Sequence, residues 1–384
     1  MGSDGASGGD RPDLVQFGSA RRRRRTPRPG WLALGAVLVA GVLTVVVRAG
    51  QPPPAPAGVR VTEAGHRLLG AASGWDLFGF GPDGLVRIEL ERGRVTRTAV
   101  PPLDSTGPAS LVAGPDQAVI RPLDAVPGYL VPDGRAARPL PGPLRRGGVV
   151  LPGPAAGQVW VLPADRPVMT LYSLARRASE ASVPLPGGPW AATADGRGGV
   201  LLENGNGSFF DAGPGGVRPV SAEAVLAPGP VQWLEVACLR PGHCFDVAAS
   251  PARGTRRVLL GPPARTVAPA GAVSPDGSVA AVYEPAAGGR VVLRLISLRS
   301  GATRSVALAV RGPAGPQALA WSPDSRWLFT VADGGALRVV DARTGRLRRL
   351  GIRLPPLTEL AVRSAPAPRG AQDASARALR GGRP

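Results

Sequence analysis

ALAWSPDSRWLFTVADGGALRVVDARTGRLRRL, residues 318–350, decides the fold. It reads as four short strands separated by turn residues. The first strand, 318–322, ends at Pro323-Asp324-Ser325, and the second, 327–332, at Asp333-Gly334-Gly335. The third, 336–341, turns at Thr344-Gly345 into the fourth, 346–350. The same order recurs over 270–308, with Ser274-Pro275-Asp276-Gly277 at the first turn and Ser300-Gly301 at the third. Weaker copies precede these two. First turns fall near Asp116, Pro154, Asp195, Gly229, Asp276 and Asp324, a mean spacing of about 42 residues, the period of a repeated four-stranded unit.

This pattern resembles the WD40/YVTN and TolB-type β-propellers, in which S-P-D-G marks the turn between the first two strands of a blade. Ser274-Pro275-Asp276-Gly277 and Ser322-Pro323-Asp324 keep that motif; Ala194-Asp195-Gly196 and Gly114-Pro115-Asp116 are degenerate copies. The third strand of 318–350 carries Val340-Asp341 in place of the WD dipeptide. The resemblance implies an all-β, seven-bladed propeller of four-stranded blades over 59–365. Residues 75–100 align with the second, third and fourth strands of the repeat, so the first blade lacks its inner strand. Residues 357–365 read like a first strand, which makes them the segment that closes the ring, pairing with 76–80. Residues 59–72 compete for the same slot. Glycine (54) and proline (44) together make up about a quarter of the chain, which argues against a helical protein.

Before the repeats comes a different signal. Residues 1–30 are polar and carry Arg21, Arg22, Arg23, Arg24, Arg25 and Arg28. WLALGAVLVAGVLTVVV, residues 31–47, is uncharged and just long enough to span a bilayer as one helix. Trp31 stands at the interfacial position. Arginines crowd the N-terminal flank, so the positive-inside rule puts the N-terminus in the cytoplasm and the propeller outside. The alternative, a cleaved signal peptide, fits less well: the apolar run is long for one, and no small-residue cleavage site is clean. The expected organisation is a cytoplasmic, Arg-rich disordered tail (1–30), a single-pass signal-anchor helix (31–47), a Pro-rich linker (48–58), the propeller (59–365) and a disordered C-terminal tail (366–384). Anionic lipid head groups are the expected partners of the Arg21–Arg25 run.

The net charge of +19 rests entirely on arginine, for the chain has no lysine. Outside the tails it is scattered, with no basic-aromatic stripe, so no nucleic acid is expected as a partner. Arginines on the expected fourth strands (Arg94, Arg97, Arg138, Arg218, Arg256, Arg257, Arg304, Arg346, Arg348 and Arg349) protect exposed blade edges. They would also suit an anionic envelope polymer. Cys238 and Cys244 flank a Pro-Gly turn and should face each other across a hairpin of the fifth blade, as a disulfide outside the cell. Trp75, Trp160, Trp190, Trp233 and Trp327 read as packing between blades.

Catalytic signatures are lacking. Between 59 and 365 there is no G-x-S-x-G, no H-E-x-x-H and no phosphate-binding loop, and the chain has two histidines. No cofactor is expected. Asp116, Asp195, Asp276 and Asp324 should satisfy turn backbone groups. Two functions compete. One is a non-enzymatic, membrane-tethered scaffold that binds a protein or an envelope polymer. The other, implied by likeness to lactonase-type propellers, is a hydrolase whose channel metal is held by carboxylates and Asn, with Glu203, Asn204, Glu235, Asp246 and Glu284 as candidates.

Overall fold

The computed structural model describes residues 58–363, apart from 72–73, 102–108, 123–126, 146–147, 164–165, 221, 242, 251–256, 263–270, 287–289 and 312–317. The tail with Arg21–Arg25 and Arg28, the apolar stretch 31–47 with Trp31, most of the linker, Arg256 and the chain beyond 363 lie outside the described residues. Among the described residues no helix is long and apolar enough to cross a membrane. All of them belong to the unit Pro56–Pro384.

Seven antiparallel sheets follow one another along this unit. Blade 1 holds β1 (Val59–Glu63), β2 (Asp76–Gly81), β3 (Gly84–Glu89) and β4 (Arg94–Thr98). Blade 2 holds β5 (Ala109–Ala113), β6 (Gln117–Pro122), β7 (Tyr129–Pro132) and β8 (Arg138–Pro139). Blade 3 holds β9 (Gly148–Pro152), β10 (Gln158–Pro163), β11 (Val168–Ser173) and β12 (Ala178–Pro184). Blade 4 holds β13 (Trp190–Ala194), β14 (Val200–Asn204), β15 (Phe209–Gly213) and β16 (Gly216–Val220). Blade 5 holds β17 (Ala224–Ala227), β18 (Trp233–Arg240), β19 (His243–Ala249) and β20 (Arg257–Gly261). Blade 6 holds β21 (Gly271–Val273), β22 (Val279–Ala286), β23 (Arg290–Ser297) and β24 (Thr303–Arg311). Blade 7 holds β25 (Leu319–Trp321), β26 (Trp327–Ala332), β27 (Ala336–Asp341) and β28 (Leu347–Arg348), and β29 (Glu359–Arg363) ends the series. The protein is a seven-bladed β-propeller.

The two ends of the propeller sequence meet in blade 1, whose strand order is β1-β4-β3-β2-β29. The C-terminal strand is the inner one, with Asp76 opposite Arg363 and Phe80 opposite Glu359. Residues 59–63 do not compete for that slot. They pair with β4, Val59 opposite Thr98, and make blade 1 five-stranded rather than four-stranded. The reason lies in their composition. VRVTE is exposed at four of its five positions, which suits an outer edge and not a strand pressed between blades. The edge role expected for Arg94 and Arg97 therefore passes to β1, and Arg97 Nη2 instead donates to the Arg353 carbonyl at 2.7 Å.

Strand position governs exposure. Every residue of β2, β6 and β26 is buried, while β8 and β28 are exposed throughout. A second strand is covered by a neighbouring blade on each side, so it reads as a continuous apolar run instead of alternating. Seven apolar clusters result, and each bridges one pair of adjacent blades. Tryptophans tie the same seams. Trp160 Nε1 donates to the Gly198 carbonyl at 2.7 Å, Trp233 Nε1 to Asp195 at 2.9 Å and Trp321 Nε1 to Ala272 at 3.0 Å, each crossing to the next blade. Trp75 meets Phe329 edge-on across the seam of blades 1 and 7, with centroids 5.9 Å apart. Trp190 packs on Phe210 within its own blade.

The blade turns explain the repeated Ser-Pro-Asp. Ser274 Oγ donates to Asp276 Oδ1 at 2.6 Å and accepts from the Val279 amide at 3.0 Å. Ser322 and Asp324 make the same pair, and the Trp327 amide donates to Ser322 Oγ at 2.8 Å. The fourth residue lies in left-handed space, at φ +72° for Gly277 and +60° for Ser325, which favours the glycine of blade 6. Ser325 has a compensation: its Oγ accepts from the Asp276 amide at 3.0 Å and links the two turns.

Ring closure predicts unequal effects of truncation. A chain ending at Leu350 loses β29, and Leu357 and Leu360, both buried, leave their pockets at about 2–5 kcal/mol each. Against a total stability of about 5–15 kcal/mol, it should show no cooperative thermal melt. A chain ending at Ala365 should melt like the parent, and one lacking residues before 64 should lose only a few degrees. Equal melts for the first two would refute closure by β29.

Candidate functional site

Three strands and one turn bring charged groups together where the ring closes. Asp76 begins β2, Arg87 lies on β3, Arg363 ends β29, and Asp133 follows β7 of blade 2. Arg363 donates from Nη2 to Asp76 Oδ2 at 2.6 Å and to Asp133 Oδ2 at 2.7 Å. Its Nη1 reaches the Gly114 carbonyl at 3.1 Å, and its guanidinium lies 4.9 Å from the Phe78 ring centroid. Arg87 adds 3.0 Å contacts to the same two carboxylates. Burial alone would lower the Arg363 pKa, but the bonds and charges of Asp133 and Asp76 outweigh it and hold the group above its ordinary value. The network borders a cleft of about 260 Å³ that also takes in Trp75, Glu89 and Glu91.

Blade 4 carries a second cluster. Asp195 Oδ1 accepts from the amides of Arg197 and Gly199, both at 2.7 Å, which is the turn-capping role expected of it. Asp211 Oδ2 accepts from Arg197 at 2.7 Å and from Arg218 at 2.8 Å. Arg197 also stacks 5.2 Å above Trp233 of blade 5. Burial pushes the Asp195 carboxyl up, and the two amides and the Arg197 charge pull it partly back. These groups edge a cleft of about 340 Å³ with a glycine-rich rim at Gly213, Gly215 and Gly216.

Both clefts pair carboxylate with guanidinium, so each charge is neutralised by its neighbour. The sequence reading missed them, because Asp76, Asp133 and Arg363 are scattered over the whole length of the domain and carry no motif. Asp276 and Asp324 lie apart, in the first turns of blades 6 and 7. Asp276 is held below its ordinary value because hydrogen bonds from Ser274, Ser278 and Ser325 outweigh its burial. Asp116 is exposed, and its carbonyl accepts from the Asp133 amide at 2.9 Å. Cys238 and Cys244 are cross-strand partners at the tip of the β18–β19 hairpin and form a disulfide.

The residues proposed for a channel metal do not converge. Asn204 Oδ1 caps its own turn, accepting from the Ser208 amide at 2.8 Å, and Glu284 pairs with Arg294 at 2.6 Å. Glu235 and Asp246 stand opposite Val247 and Val236, which puts them on opposite faces of blade 5. Burial raises Glu203. Among the described residues no group of three His, Cys, Asp or Glu side chains is placed to hold a metal ion.

No protein-family model matches the chain, and no curated protein is detectably similar in sequence. Solved structures of similar shape include AztD from Citrobacter koseri, at 11% identity and TM-score 0.45, covering 77% of this chain and 99% of that one. Hydrazine synthase of Kuenenia stuttgartiensis matches at 13% identity and TM-score 0.43, over 62% and 78%. Hsv2 of Kluyveromyces lactis matches at 11% and 0.44, over 61% and 75%. These likenesses concern the propeller shape alone.

Two predictions follow from the closure seam. Arg363→Met keeps the bulk but leaves two carboxylates without their main partner, and should cost about 3–5 kcal/mol by urea unfolding. An unchanged midpoint would show that the network adds nothing. Glu359, buried on the same strand, is pushed up to about 8 from 4.5 by desolvation, which the Ala109 amide only partly offsets. The folded state thus binds this proton more tightly than the unfolded chain, so stability should fall as pH rises from about 4.5 to about 8 and then level off. Glu359→Gln should flatten that portion of a melting-temperature profile; an unaltered slope would assign the proton elsewhere.

Proposed function

We propose that the chain is a membrane-tethered, extracytoplasmic β-propeller that works as a non-enzymatic scaffold for a protein or an envelope polymer. The observation that carries the scaffold reading is the mutual neutralisation of charge in both clefts. Catalysis by carboxylates needs groups poised to give or take a proton at a bound substrate. Asp76, Asp133 and Asp211 are instead held by arginines, an arrangement that fixes shape. The Cys238–Cys244 disulfide supports an oxidising compartment. Support for the tether is the uncharged run 31–47 behind its arginine cluster.

The topology is tested with protease on intact cells. An N-terminal tag should stay protected while the chain beyond about residue 60 is degraded; a mature protein beginning near Gly50 would overturn the anchor. The scaffold reading is tested on purified protein with a lactone and ester panel, with and without chelator. The expected result is no turnover and no change of melting temperature on chelation. Chelator-sensitive hydrolysis would replace the scaffold with the metal-dependent hydrolase.

A further inference from the structure

The cleft on blade 4 combines room with unspent hydrogen-bonding groups. It holds about 340 Å³, space for about ten waters. Asp211 on β15 faces Arg218 on β16 across the strand pair, and Arg197 reaches the same carboxylate from the first turn of the blade. Both bonds end on Oδ2. Asp211 Oδ1 accepts nothing from the described residues and is not sealed from solvent. Arg197 Nη1 is likewise open and has no partner among the described residues. The Arg218 side chain is 68% exposed and spends one of its N–H donors, at Nη2. Left-handed backbone, at φ +102°, accounts for the glycine at 216. Nothing comparable accounts for Gly213 and Gly215, where a Cβ would meet no atom within 4 Å. Their effect is a rim without side chains, at which a ligand can approach the backbone closely.

These groups select a ligand by elimination. Two guanidiniums, Arg197 and Arg218, are matched by two carboxylates, Asp195 and Asp211, so the lining carries no net charge. An anionic group would meet Asp211 and an ammonium would meet the arginines, each repelled at short range. A hydroxyl is different, because it donates and accepts at once. Neighbouring hydroxyls can donate to Asp211 Oδ1 and accept from Arg197 Nη1 and Arg218. We propose that this cleft binds an uncharged sugar unit of a glycan through vicinal hydroxyls. The inference rests on the scaffold reading above and names the class of polymer that the scaffold holds.

The test applies the full-length chain, tagged at its N-terminus, to an array of gluco-, manno-, galacto- and arabino-oligosaccharides with galacturonate and sulfated counterparts. The strongest neutral binder is then titrated by calorimetry. Arg218→Ala, at an exposed position on the blade edge, should leave the melt unchanged and weaken binding about tenfold. Asp211→Asn keeps the shape and leaves two guanidiniums unmatched, so it should weaken the neutral glycan about fivefold and gain galacturonate binding in exchange. Arg218→Ala decides the matter if Asp211→Asn does not fold. An array without a neutral binder, or neutral binding undiminished in Arg218→Ala, would overturn the site and leave the scaffold to a protein partner. A parent chain that prefers galacturonate or sulfated glycans would overturn the assignment to uncharged sugars. Chromatography of the titrated glycan should recover it intact; a cleaved product would overturn the scaffold reading and not the site.

Discussion

The pairing of β29 with β2 is the constraint on which the other blades depend. A propeller blade has no core of its own; its apolar faces are buried only by the blades beside it. An open ring would therefore leave two faces bare, and the clusters that join blade 1 to blades 2 and 7 would both lose material. Closure joins segments nearly the whole domain apart, which carries a large entropic cost before any contact forms. Arg363 concentrates the return on that cost. One side chain at the end of the closing strand binds a carboxylate in blade 1 and another in blade 2.

The same logic runs around the ring on a smaller scale. Several seams combine an apolar layer with directed bonds across it. In three seams the directed bond is an indole N–H on a carbonyl of the adjacent blade. Between the blade 6 and blade 7 turns, Ser325 links to Asp276, and deeper in that seam the Tyr283 hydroxyl meets Thr330 at 2.6 Å. Apolar burial supplies the bulk of the stabilisation and is non-directional. Directed bonds set the angle and register at which blades meet, since an unpaired polar group there would be costly. Blade 4 against blade 5 shows the balance shifting. Its apolar cluster is small, and the Asp195–Arg197–Asp211 network with Arg197 over Trp233 makes up the contact.

Asp76, Asp133, Asp211 and Glu284 are committed to arginines, and Asp195 to turn amides. Two arginine-edged clefts remain as polar recesses, the one on blade 4 with a glycine-rich rim.

Much of the fold is legible from residues 318–350 and 270–308, because a repeat that cannot bury its own faces must stack on copies of itself. Blade count, turn positions and the inner place of 357–363 follow from that repeat, and the facing cysteines from the Pro-Gly turn between them. Two things were decided only in three dimensions. Residues 59–63 add to the outer edge of blade 1, exposed at four of their five positions, while 359–363 takes the inner place. The charge clusters likewise have no signature in sequence. Asp76, Asp133 and Arg363 meet because the ring closes. Period is a local property that a sequence displays directly; contact between distant residues depends on how the blades finally pack.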